Sequence, residues 1–235
     1  LLLERWQLHP ESEISIFPCE LIPRNGDRLK DIIRGLADSW QLPAGFMFYL
    51  MEKCRFANSL VDRIVSEPIE PVGAVAEPYA IWAVENQAGL TLPCVHPHLV
   101  LTDDLDHYEN LKLYLLNLGH SYLAERWLVD ARAKDETVRE AMADLELRAD
   151  LEAVWHEEVL PLFAAEGLGT EAKAYVNDVR ERFLNPYLAH RLADIAGNHD
   201  EKKRRRIAPV IAWAEKLGLN LPQTRLRAAM ATIKQ

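Results

Sequence analysis

The sequence predicts an α+β protein, mostly α, in which a mixed α/β part precedes an all-helical part. Three observations predict it. Before residue 100, short β-branched and aromatic runs that close on turn residues alternate with helical patterns. After Leu105 one 3.6-period segment follows another, with glycines at the breaks. The 235 residues, 49% hydrophobic and 27% charged, have the balance of an ordinary globular chain long enough for two domains. We therefore expect domains at 1–100 and 101–235, with the boundary drawable as early as about Asn58.

Residues 14 to 22 read as a strand that closes on Pro23-Arg24-Asn25-Gly26, where the Asn-Gly pair marks a bend. From Asp27 to Trp40 the apolar positions Leu29, Ile32, Ile33, Leu36 and Trp40 recur at three and four, the pattern of an amphipathic helix. Pro43 starts another helix, to about Arg55. Residues 59–65 and 72–84 read as two strands around the proline-rich loop Glu67-Pro68-Ile69-Glu70-Pro71. Helical segments then follow at roughly 105–129, 135–164, 170–182, 186–196, 201–217 and 222–233, with Gly167, Gly169, Gly197 and Gly218 between them.

With 36 acidic against 27 basic side chains, the net charge of −9 argues against broad electrostatic capture of nucleic acid or of an anionic membrane. Cys19, Cys54 and Cys94 form no close pair, so free thiols in a reducing cytoplasm are expected. The longest uncharged stretches, Pro43 to Met51 and Leu113 to Ala124, fall short of the roughly 20 apolar residues of a membrane-spanning helix. Leu1 to Trp6 lack the basic start and apolar core of a signal peptide. Small-molecule or protein partners remain.

Several local signals have ordinary readings. Gly167-Leu168-Gly169-Thr170-Glu171-Ala172 matches G-x-G-x-x-G/A, but the segment before it is helical, so a helix C-cap followed by a new helix is expected. Cys94, His96 and His98 alternate as ligands would on a strand, yet their spacing is short for zinc, and a surface loop is expected. Trp155-His156-Glu157-Glu158 lacks the second histidine of H-E-x-x-H, and no metal is expected. Lys202-Lys203-Arg204-Arg205-Arg206 is a basic run for which a solvated helix face is the favoured reading over nucleic acid or an anionic ligand.

The strongest cluster is Lys112, Asn117 and His120. On an α-helix Asn117 lies about 140° and His120 about 80° around from Lys112, so the three share one arc. Roughly 12 Å of axial rise separates the first from the last, and the long lysine stem or a helix start near Lys112 must close that gap. A polar trio in apolar sequence reads equally as a pocket lining or as a snorkelling lysine beside a hydrogen-bonded core histidine.

Lys112-x₅-Asn117-x₂-His120 also resembles the signature of the polyol-specific long-chain dehydrogenases, the mannitol dehydrogenase family. Other blocks are similar to that family in the same order. They are Cys19 to Asp27 with its Asn-Gly turn, Asn58 to Val65 with Val-Asp-Arg-Ile, Glu77-Pro78-Tyr79 with Trp82, and Arg182-Phe183-Leu184-Asn185-Pro186. The resemblance implies the rear part of a Rossmann-type domain at 1–100. At 101–235 it implies a helical catalytic domain of the type found at the C-terminus of 6-phosphogluconate dehydrogenase.

It further implies an NAD(P)-dependent, zinc-independent oxidoreductase that interconverts a sugar alcohol or aldonate with a ketose or ketouronate by hydride transfer. Lys112 is then the general acid/base, and Asn117 and His120 hold the reacting oxygen. Asp62, Arg182 and Asn185 become candidates for substrate hydroxyls or a carboxylate, against structural ion pairing and a helix-start turn. Leu21 stands where many members carry a site Asn, which leaves Asn25 as a substitute. The Cys19 to Asp27 wording is similar to the hexuronate reductase branch, which favours a sugar acid. NAD or NADP would be held mainly by a Gly-rich turn that this sequence lacks. A non-catalytic helical interaction module is the alternative reading. With the front of the domain missing, the strand at 14–22 is expected to lack partners and expose its edge.

Overall fold

A computed structural model describes residues 1–233, so the last two residues of the 101–235 span lie outside the described residues. Contacts divide the chain into two compact units, Leu1–Arg63 with Ala80–Tyr108, and Ile64–Tyr79 with the chain from Glu109 onward.

In the first unit, α1 (Leu2–Leu8), α2 (Asn25–Ser39) and α3 (Ala44–Glu52) accompany a small sheet of β1 (Ile14–Ile16) and β2 (Cys54–Phe56). The strand expected at 14–22 is shorter and is not left without a partner. It runs parallel to β2 with Ile14 opposite Cys54 and Ile16 opposite Phe56. Pro18, which has no N–H to donate, follows closely on its end. Likewise α3 stops at Glu52 rather than Arg55, because the next residues are taken up by β2. Phe46, Tyr49, Leu50, Cys54 and Phe56 form the core of this unit, with Trp6 packed against it.

The two strands expected at 59–65 and 72–84 are four: β3 (Ser59–Asp62), β4 (Val65–Ile69), β5 (Gly73–Ala76) and β6 (Ile81–Glu85). β3 pairs antiparallel with β6, which pairs in parallel with β7 (Leu99–Thr102). β4 and β5 form a hairpin within the second unit. Pro68, expected in a loop, therefore sits in a strand, which a proline tolerates because β4 pairs on one side only among the described strands.

The second unit is otherwise helical. Its helical run starts within α4 (Leu105–Leu111), at Glu109, and goes on through a π turn (Lys112–Asn117) and α5 (Leu118–Val129). Thr137 opens α6 (Val138–Ala143) with a reciprocal capping box to Glu140, and Asp144 caps α7 (Leu145–Ala153). A second π turn (Val154–Val159) leads into α8 (Leu160–Ala165), and α9 (Gly169–Phe183) follows. Gly167 separates α8 from α9 at φ 82°, and Leu168 N–H bonds back to the Phe163 carbonyl, the helix cap expected for this glycine pair.

The helix expected at 186–196 shrinks to α10 (Leu192–Ile195), because Asn185 Oδ1 accepts the Tyr187 N–H at 3.0 Å and forms a turn there. The segment at 201–217 divides at Ile207 into α11 (His199–Arg206) and α12 (Ala208–Lys216), with Pro209 in the first turn of α12 where its missing N–H costs nothing. α13 (Thr224–Ala231) closes the described chain. Leu115, Leu118, Leu123, Leu151, Trp155, Leu162, Phe163 and Leu192 belong to the continuous core of this unit, and none is accessible. No helix among the described residues is long and apolar enough to cross a membrane.

Candidate functional site

Lys112 is the first and Asn117 the last residue of the first π turn, and His120 lies one turn further on, in α5. A π turn is closed by i→i+5 hydrogen bonds, so residues five apart lie nearly above one another instead of about 140° apart. The structure thus brings Lys112 and Asn117 closer than an α-helix would. Both are half-buried, and His120 is buried at 5% exposure.

The turn is held from outside. Trp155 Nε1, in the second π turn, donates to the Leu115 carbonyl at 3.0 Å. Arg206 Nη1, at the end of α11, donates to the Asn117 carbonyl at 3.4 Å and to Ser121 Oγ at 2.9 Å. Gly119 lets the helices meet, since a Cβ there would come within 2.8 Å of the Trp155 ring and 3.3 Å of Phe183.

The His120 ring stacks on Phe183 with centroids 4.3 Å apart and meets His190 edge-on at 4.8 Å. His120 Nε2 and His190 Nδ1 are both buried with no hydrogen-bond partner among the described residues. Burial drives the His120 pKa well below the usual histidine range, and His190, Arg206, Arg182 and Lys202 push it the same way. His190 is also lowered, chiefly by burial. The two imidazoles are therefore neutral at pH 7 and carry ring nitrogens open to a further polar atom. They share a cavity of about 10 Å³ with Ile64, Val138, Arg182 and Phe183, close to the smallest space that admits one water.

Arg182 is 4% exposed and grips Glu77 with Nε and Nη2, at 2.8 Å for the shortest contact, while its guanidinium lies 4.1 Å over the Tyr79 ring. Glu77 in turn accepts the Ile64 N–H at 2.6 Å. Arg182 is thus engaged in a buried ion pair, and Asn185 Oδ1 holds the turn at Tyr187. In the first unit, the Asn25 amide donates to the carbonyls of Pro18, Glu20 and Ser59 and accepts the Ser59 N–H, so it staples the chain there. Asp62 is buried at the end of β3.

Reading the basic run as a solvated face is corrected for three of its five residues. Lys203 is 1% exposed and donates to Glu125, the Ala229 carbonyl and Thr232 Oγ1. Lys202 Nζ reaches the Ile195 carbonyl at 2.7 Å, and Arg206 reaches the π turn. Arg204 and Arg205 alone stay exposed. Sequence reasoning thus missed Arg206, Trp155 and His190. The first was hidden in a charge run, and the last sits eight residues beyond Arg182 with no motif of its own.

Among the described residues no three His, Cys, Asp or Glu side chains are grouped to hold a metal, and Cys94, His96 and His98 lie in an exposed loop. Gly167 and Gly169 lie between two helices with no strand before them, so they do not fit a pyrophosphate cradle.

Two family models match the chain: the mannitol dehydrogenase Rossmann domain over residues 2–93 and the mannitol dehydrogenase C-terminal domain over residues 104–233. Altronate oxidoreductases of Enterobacter sp. (strain 638) and of Escherichia coli (strain K12 / MC4100 / BW2952) are each 32% identical to it over 236 aligned residues, which cover 93% of this chain and 48% of theirs. Two solved structures share its fold at 22% identity. D-sorbitol dehydrogenase in substrate-free form has a TM-score of 0.81, and the Pseudomonas fluorescens mannitol 2-dehydrogenase ternary complex with NAD and D-mannitol has 0.71. Each alignment covers 97% of this chain and 49% of the other. The chain spans about half the length of the relatives it matches. With both domain models matched in order and the helical one alone covering more than half of the residues, the chain belongs to the mannitol dehydrogenase family.

Proposed function

We propose that this chain is the substrate-domain portion of an NAD(P)-dependent oxidoreductase that interconverts a sugar acid alcohol, an aldonate, with its keto form. Residues 1–100 are then the rear of the dinucleotide domain and 101–235 the catalytic domain. The observation that carries the reading is the π turn, which presents a lysine and an asparagine from one turn beside a buried, neutral histidine whose Nε2 has no partner. The 32% identity to altronate oxidoreductases supports a sugar acid over a simple polyol.

The nicotinamide cofactor, when bound, supplies the hydride chemistry. The chain's own residues do the proton work. Lys112 Nζ takes the proton from the reacting hydroxyl during oxidation and returns it during reduction, catalysis typically worth 10²–10⁴-fold. Asn117 and the His120 ring hold that oxygen as alkoxide character develops. A neutral imidazole suits this role, since its unpartnered nitrogen gains a bond only when an oxygen arrives. Asp62 serves the substrate hydroxyls. Within the helical unit Arg182 and Asn185 serve the substrate, engaged as they are with Glu77 and with the turn at Tyr187, and in the first unit Asn25 holds, through Ser59, the strand that carries Asp62. Three free thiols suit a reducing, cytoplasmic setting.

The test uses the full-length gene product that contains this chain, assayed with altronate and NAD or NADP and, in reverse, with tagaturonate. Lys112→Ala is expected to lower kcat by about 10²-fold or more with cofactor affinity unchanged, because proton transfer alone is lost. A folded Lys112→Ala variant that keeps most of its kcat overturns the assignment. A wild-type protein inert towards polyols and hexuronates alike returns the chain to the interaction-module reading.

A further inference from the structure

We propose that Arg206 is a positioning residue for this reaction: reaching in from α11, it grips the Asn117 carbonyl and Ser121 Oγ and so holds the π turn that carries Lys112 and Asn117. The proposal rests on the reading that Lys112 moves the proton. A π turn is an irregularity inside an α-helix, and such turns persist where their surroundings hold them. Here two side chains from other helices supply the hold: Trp155 Nε1 on the Leu115 carbonyl at 3.0 Å, and Arg206 Nη1 on Asn117 and Ser121 at 3.4 and 2.9 Å. The shorter contact is to Ser121, which is wholly buried. The guanidinium therefore bridges the end of the π turn to the α-helix after it.

The partners of Arg206 differ from those of the other hydrogen-bonded arginines of this unit. Arg132, Arg180, Arg182 and Arg225 each pair with a carboxylate. Among the described residues Arg206 pairs with none and donates to a carbonyl and a hydroxyl instead. Burial lowers its pKa to about 10, with Arg205 adding to the effect, so it remains cationic at neutral pH. Placing an uncompensated cation in a half-buried site is costly, and a purely structural anchor would be served better by a neutral donor. The charge has a use at this place. With Lys202 and Arg182 it opposes protonation of His120, and beside developing alkoxide it is attractive. Arg206 thus both aims Asn117 and adds positive potential behind the trio.

The experiment compares Arg206→Met, Arg206→Lys, Ser121→Ala and Lys112→Ala in the full-length gene product, with kcat, both KM values and hydrogen exchange read on each. Arg206→Met is expected to lose about 10–100-fold in kcat, since small misplacement of reacting groups carries penalties of that order, with cofactor and substrate KM changed less than about threefold. Arg206→Lys should recover part of the rate. Exchange should quicken across 112–122 while the helix holding Trp155 stays protected. Ser121→Ala, which keeps the fold and removes the shorter anchor, should lose about 3–10-fold in kcat.

If Lys112→Ala is crippled while Arg206→Met and Ser121→Ala keep kcat within twofold, the positioning role is wrong and the reaction assignment stands. If Lys112→Ala keeps its rate, both fall. Should Arg206→Met unfold, the Ser121→Ala rate decides, and an unchanged kcat there overturns the proposal.

Discussion

His120 and Glu125 lie little more than one turn apart on α5, both buried and both polar, and they are satisfied in opposite ways. Glu125 accepts from Lys203 Nζ and His199 Nε2, each at 2.8 Å, and from Thr232 Oγ1, so every donor aimed at it is matched. His120 has an aromatic face, a neighbouring histidine and cations behind it, but Nε2 has no partner among the described residues. The first arrangement is what a buried charge needs to be tolerated, and the second is what a ligand needs to be recognised. The lesson is that a buried polar residue says little about function until its bonding capacity is counted. Glu125 is full and belongs to stability. His120 still has bonding capacity to offer at Nε2.

The largest expected effect breaks the Glu125 end. Lys203→Ala leaves a carboxylate buried without its cation and should cost about 3–5 kcal/mol in urea unfolding, whereas Glu125→Leu with Lys203→Met, which removes both charges, should cost much less. A double variant as unstable as the single one would mean that the pair itself, not the orphaned charge, carries the stability. The matching change at the other end acts on rate. His120→Phe keeps a ring against Phe183 and removes a polar atom that the protein leaves unpaired, so kcat of the full-length gene product should fall by about 10–10³-fold while stability holds or rises by about 1 kcal/mol. Loss of stability without loss of kcat would move His120 to the structural side of the comparison.

This division was only partly readable beforehand. The mixed part before residue 100 and the helical part after it follow from hydrophobic periodicity, which reports faces, and faces were enough. Strand pairing was not readable. The short β1 finds its partner in Cys54–Phe56, a stretch that continues a helical pattern locally and becomes a strand through non-local bonds. Spacing put Lys112, Asn117 and His120 on one arc of an α-helix and left their role open, and the π turn that joins the first two leaves no compositional mark. The basic run misled because five consecutive cations go around a whole helix. Lys203 faces inward, Arg204 and Arg205 outward, and only the packing of α11 decides which is which.

Acid sharpens the comparison further. The folded pKa values of His120, His190 and His199 all lie below the usual histidine value, in each case with burial as the leading cause. Below pH about 6.5 the unfolded chain binds protons at these positions that the folded chain refuses, so stability should fall by about 1.4 kcal/mol per pH unit for each histidine still neutral. At Glu125, burial acts to raise the pKa, but the bonds from Lys203, Thr232 and His199 outweigh it and hold it low. The stability it contributes is present above pH about 4.3 and is lost as the pH falls through its folded value. Between pH 4.5 and 6.5 the acid loss is therefore a histidine effect. His120→Phe should flatten the stability profile below pH about 6.5, by up to about 1.4 kcal/mol per pH unit while His120 stays neutral in the fold, whereas an unchanged slope would mean that His120 titrates normally there.

The smallest expected effect separates the faces of the basic run. Arg204 and Arg205 are exposed, and replacing either by Ala should change stability by less than about 0.5 kcal/mol. Lys202 Nζ donates to the Ile195 carbonyl at 2.7 Å, at the end of α10, where a helix leaves its last carbonyls without N–H partners. Lys202→Ala should therefore cost about 1–2 kcal/mol, the range for a hydrogen bond from a charged donor. It should also act at a distance, because Lys202 is one of the cations opposing protonation of both His120 and His190. Removing it raises both pKa values towards the ordinary range, so their ring resonances, followed by NMR, should begin to titrate at higher pH than in the wild type. If stability and both histidine titrations are unchanged in Lys202→Ala, the run's inward face ends at Lys203 and Arg206, and Lys202 belongs with the solvated arginines after all.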